Sequence, residues 1–139
     1  MKDHQLGIQI SGSLSRNTSV VAAYAVGSFV QGNAGTESDF DLAVVVENRN
    51  AVSQDSIYDL LKGIQFPRNL DLSLVDRASS PLFLFQVISK GERIYERARN
   101  DAMQFEAFVL HNYYDSAHIR TIYNAYLKQK FSHVPYANR

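Results

Sequence analysis

The stretch Gly27 to Asp41, GSFVQGNAGTESDFD, decides how the rest of the chain is read. Val20 to Val26 is an apolar run that leads into Gly27-Ser28, and Leu42 to Val46 is a second that leaves from Asp41. Two such runs joined by a tight turn and a short linker predict strand, turn, linker, strand. Asp39 and Asp41 stand two apart at the start of the second strand, where a period of two puts both on one face. Burying an ionised carboxylate without a partner is very costly, so the pair needs compensation. A divalent cation is the natural partner.

Hard cations such as magnesium take carboxylate oxygens and commonly hold phosphates as well. A third carboxylate on a neighbouring strand would allow two ions about 4 Å apart, clamping an in-line phosphoryl or nucleotidyl transfer. The run Asn69 to Val75, NLDLSLV, supplies it, as a short strand with Asp71, Ser73 and Val75 on one face. Gly27 lets the backbone come close to a phosphate, and Ser28 adds a hydroxyl and exposed amides at the start of a short helical turn over 28–32. Ser38 is placed to hydrogen-bond the turn and orient Asp39. Together these residues predict nucleoside triphosphate chemistry.

Composition narrows the class. A chain of 139 residues forms one domain, here with a helical extension from about residue 100. The formal net charge is zero, so direct nucleic-acid binding by a generally basic surface is not expected. The absence of cysteine excludes a disulfide scaffold, a thiolate zinc site and a cysteine nucleophile, and it fits a reducing cytoplasm. The opening MKDHQLGIQISGSLS lacks the basic start and long apolar segment of a signal peptide, and no apolar run approaches the roughly 20 residues of a membrane span. A cytoplasmic protein is the expectation.

Around the central stretch, residues 4–17 predict a weak helix broken near Gly12, and Tyr24 is expected to pack in the core. Ser53 is expected to cap a helix through Ile57, Leu60, Leu61 and Ile64 that Gly63 and Pro67 end, a crossover between two strands. Leu82 to Ser89 predicts a short apolar helix, and Glu92 to Glu96 a final strand. Lys90, Arg93 and Arg97 either meet a triphosphate or line a solvated edge. From Asp101 to Lys128, Phe105, Phe108, Val109, Tyr113, Ile119, Ile122, Tyr123 and Tyr126 recur at threes and fours, which predicts a long helix capped by Asn100 or Asp101. Its surplus aromatics, among them Tyr114, Tyr123, Tyr126 and Phe131, serve either a partner or ordinary packing. The tail 132–139 is expected to be loosely ordered. The four histidines match no metal-binding pattern, and neither a serine nucleophile elbow nor a Walker lysine motif is present.

Gly27-Ser28, ten intervening residues, then Asp39-Phe40-Asp41 resembles the nucleotidyltransferase superfamily, whose pattern is GS, a spacer, DxD and a later aspartate. The finer likeness is to the minimal nucleotidyltransferase (MNT) domains of prokaryotes. It runs through GSFVQGNA, SDFDLAV, LDLSLVD, RASSPL and VISKGERIYER, over roughly residues 18–97. Within that group the chain is most similar to the MntA-type antitoxins, partners of HEPN-domain ribonuclease toxins. Phe29 and Gln31 depart from the pattern, since many relatives carry basic residues after the Gly-Ser.

The resemblance implies an α/β (α+β) polymerase beta-like fold with a small mixed sheet flanked by helices. It implies two magnesium ions on Asp39, Asp41 and Asp71, with ATP as substrate held by Gly27, Ser28 and Ser38. The activity implied is transfer of AMP to a tyrosine hydroxyl of a HEPN toxin in a hetero-oligomer, releasing pyrophosphate and neutralising the toxin. The alternatives are an antitoxin acting by binding alone and a small-molecule nucleotidyltransferase of the aminoglycoside-modifying kind.

Overall fold

The computed structural model describes residues 4–26 and 39–132. Four strands form one sheet, β1 (Val20–Val26), β2 (Phe40–Val46), β3 (Leu70–Val75) and β4 (Glu92–Glu96), in the spatial order β3-β2-β1-β4. β1 lies antiparallel to both β2 and β4, whereas β2 and β3 run parallel. The sheet is therefore mixed, as expected. The parallel pair needs a crossover, which α2 (Gln54–Leu60) provides. Ser53 caps α2, its hydroxyl accepting from the Ser56 N–H at 3.1 Å. The helix stops at Leu60, so Ile64 packs from the following turn rather than from the helix.

Alternation along the strands feeds two cores. On one face Leu6, Ile10 and Leu14 of α1 (His4–Leu14) and Ile57 of α2 pack on Ala23, Ala25, Phe40, Leu42, Val44 and Leu72. On the other, Leu84 and Val87 of α3 (Pro81–Lys90) and Phe105 and Val109 of α4 (Arg99–Phe131) pack on Ala22, Tyr24, Ala43, Val45 and Val75.

α1 is continuous, correcting the break expected near Gly12. A mid-helix glycine costs about 1 kcal/mol relative to alanine, and three buried anchors spaced at four residues outweigh it. Two further boundaries differ from expectation. α3 starts one residue earlier, with Ser80 capping and Pro81 in the first turn, where its missing N–H is harmless. α4 starts after Ala98 without a side-chain cap, so neither Asn100 nor Asp101 caps it, and Asp101 instead accepts from Arg97 Nε at 2.8 Å.

Gly91 joins α3 to β4 where the chain has no room for a side chain. A Cβ there would sit 2.4 Å from the Val87 carbonyl oxygen and 2.5 Å from Val26 Cγ1. That close approach lets β4 pair directly with Ala25 at the end of β1. Among the described residues, no helix is long and apolar enough to cross a membrane.

Candidate active site

Asp41 is the second residue of β2 and Asp71 the second of β3, and the parallel register makes them direct partners. Adjacent strands lie about 4.8 Å apart, so the two carboxylates project side by side. Both follow the alternation of Ala43, Val45 and Val75, which places them on the α3/α4 face, at the end of the sheet that those apolar residues leave open. Asp41 is half-buried, and Asp71 and Asp39 are exposed. Asp39 stands just before β2, where the Phe40 N–H donates to the Asn69 carbonyl at 2.8 Å and ties the start of β2 to the entry of β3.

The electrostatics of the pair are unfavourable. Burial holds the Asp41 carboxyl above its usual range, and the charge of Asp71, a hydrogen bond shared with it, and the charge of Asp39 push the same way. Among the described residues, none of the three aspartates has a cationic partner. The donors are hard carboxylate oxygens, and their mutual repulsion falls when a divalent cation or a proton joins them, so this set fits magnesium by chemistry. Among the described residues, however, no three acidic or histidine side chains are gathered as a closed ligand set. The structure pairs Asp41 with Asp71 and leaves Asp39 as a nearby charge.

Gly27, Ser28 and Ser38 lie outside the described residues, as does the helical turn expected over 28–32. β1 ends at Val26, which pairs with Asp41, so the end of β1 lies at the carboxylate end of the sheet.

Of the basic residues weighed for a triphosphate, Arg93 and Arg97 are committed elsewhere. Arg93 Nη1 donates to Glu106 Oε2 at 2.6 Å, and its Nε lies 3.6 Å from Glu96. The Tyr24 hydroxyl donates to the same Glu106 oxygen at 2.5 Å, and burial together with Glu106 drives the phenol pKa far upward. Tyr24 is thus a core residue with a satisfied hydroxyl. Arg97 bonds Asp101, Glu47 and the Thr18 carbonyl at the opposite end of the sheet. Arg68, three residues before Asp71, has an Nε that is buried without a hydrogen-bond partner among the described residues.

Two neighbouring strands that begin with facing carboxylates, on a mixed sheet covered by helices, define a nucleotidyltransferase architecture. Residues 9–100 match the family described as polymerase beta, nucleotidyltransferase, about two thirds of the chain, and the chain belongs to that family. No curated protein matches it. Among solved structures it is similar to a chain of a toxin–antitoxin complex with AMP-PNP, at 20% identity and TM-score 0.63, covering 90% of this chain and 98% of that one. A chain of the MntA-HepT toxin–antitoxin complex matches at 17% identity and TM-score 0.60, over 93% and 99% of the two chains. A third match, at 19% identity and TM-score 0.58 over 93% and 99%, is to a chain of the tri-AMPylated Shewanella oneidensis HEPN toxin in complex with MNT antitoxin.

Proposed function

We propose that this protein is an MNT-type antitoxin that transfers AMP from ATP to a tyrosine hydroxyl of a cognate HEPN-domain toxin in the cytoplasm. The observation that carries the reading is the in-register pairing of Asp41 with Asp71 inside a nucleotidyltransferase domain. Similarity to chains of MNT–HEPN complexes, one with an AMPylated toxin, supports the choice of acceptor.

In this reading Asp39, Asp41 and Asp71 hold the magnesium, two ions if all three carboxylates engage. When bound, the metal supplies positive charge to the triphosphate and to the departing pyrophosphate. Asp71, exposed on an edge strand, faces the acceptor and directs the hydroxyl proton toward solvent. The tyrosine oxygen bonds to the α-phosphorus as the bond to the β-phosphate bridging oxygen breaks, and pyrophosphate leaves. Half-burial of Asp41 keeps its carboxylate in one orientation, so the acceptor meets a positioned site. Gly27, Ser28 and Ser38 are assigned to the nucleotide phosphates. A folded protein acceptor closes over the open carboxylate end, which suits a neutral single domain better than a primer or a small molecule would.

The test is the intact mass of the HEPN toxin after incubation with this protein, ATP and magnesium, beside an Asp41→Asn control. A gain of one AMP or a small multiple, seen only with the unaltered protein, supports the reading. Equal inhibition of the toxin by both versions with no gain in mass would replace it with neutralisation by binding.

A further inference from the structure

α4 is longer than the sheet it covers. Its 33 residues span about 50 Å, and its buried residues, Ala102, Phe105 and Val109, all lie in the first third. Past that point Ile119, Ile122, Tyr123 and Tyr126 are 65%, 58%, 59% and 56% exposed. Asp115, Ile119, Ile122 and Tyr126 recur at four, three and four residues, the spacing of a helix-pairing seam. Tyr123 and Lys130 flank it, with Lys130 Nζ 5.8 Å from the Tyr126 ring. Scattered apolar residues need no explanation, but a continuous apolar stripe on a projecting helix does.

We propose that this stripe pairs with the same stripe of a second copy of this chain, the two helices antiparallel about a twofold axis near Ile122. An isologous contact requires self-complementarity, and this segment has it. With the axis between Ile122 and Tyr123, Ile119 stands opposite the second copy's Tyr126, and Asp115 opposite its Lys130. Each pair occurs twice. Parallel alignment would instead set Asp115 against Asp115 and Lys130 against Lys130. The four apolar side chains offer on the order of 400 Å² per copy, below the roughly 800 Å² of a standard interface, so the dimer is expected to be reversible. This inference is independent of the proposed transfer activity.

The experiment is sedimentation equilibrium of the full chain alone, from about 1 to 100 µM, a range that brackets a small reversible interface. The mass is expected to rise from 15.7 kDa toward twice that value. Ile122→Glu, at a position the fold leaves exposed, is expected to stay monomeric with unchanged helical circular dichroism. Asp115→Lys should weaken the dimer at least about tenfold, since like charges then face each other twice. Adding Lys130→Asp in the same chain should restore it, which fixes the antiparallel register. A chain that stays at 15.7 kDa throughout would overturn the proposal, including the case in which only added HEPN toxin covers the stripe. So would a dimer indifferent to Ile122→Glu, or a double swap that fails to restore association.

Discussion

The two ends of the sheet carry charge in opposite ways. Where β1 finishes and β2 and β3 begin, Asp41 and Asp71 face each other with Asp39 beside them, and no cation among the described residues offsets them. At the other end Arg97 bonds Glu47, Asp101 and the Thr18 carbonyl, and binds β4, α4 and the loop before β1 into one network. Satisfied charges hold a structure, whereas crowded like charges lower its stability and persist where something else must bind. In the proposed function the carboxylate end is therefore the functional end, and the arginine end is scaffold.

The largest effect that this contrast predicts is on transfer. If the proposed function holds, Asp41→Asn should reduce AMP transfer by at least about 10³-fold, because it removes a proposed metal ligand at the reacting phosphates. Activity within tenfold of the unaltered protein would break the comparison. Removing a fixed scaffold charge should do the reverse. Arg97→Ala is expected to cost about 1–2 kcal/mol in denaturant unfolding, from two part-exposed ion pairs and one hydrogen bond, and to leave transfer within about twofold.

A smaller stability effect belongs to the part-buried network of Tyr24, Arg93 and Glu106. Tyr24→Phe removes one donor from Glu106 while Arg93 remains, so a loss of about 1 kcal/mol is expected in equilibrium unfolding, with activity retained.

The smallest effect is on pH dependence without metal. Asp41 has a carboxyl pKa raised in the folded state, so between its ordinary value and the raised one the folded protein binds more protons than the unfolded chain. Its contribution therefore destabilises at neutral pH and fades as pH falls through the raised value. Asp41→Asn should melt slightly above the unaltered protein at pH 7, and the gap should close on acidification. A gap of constant size would show that Asp41 is not crowded.

Much of this contrast is legible in the residues. The apolar runs of β1 and β3 mark the strands, β1 with its observed bounds and β3 to within one residue. The period of two reaches Asp41 but not Asp39, which stands just before β2. The facing of Asp41 and Asp71 is not legible, because register across a crossover is set by how α2 packs. Nor is the commitment of Arg93 and Arg97, whose partners Glu106 and Glu47 lie 13 and 50 residues away with no local period to link them. The helix break expected at Gly12 fails for a related reason. Propensity is local, and Leu6, Ile10 and Leu14 are anchored by strands far along the chain.

The most direct measurement is transfer of label from ATP labelled at the α-phosphate onto the HEPN toxin, with variants from both ends of the sheet. The account predicts labelling by the unaltered protein and by Arg97→Ala, and none by Asp41→Asn or Asp71→Asn. Equal labelling by all four, or loss with Arg97→Ala alone, would contradict it.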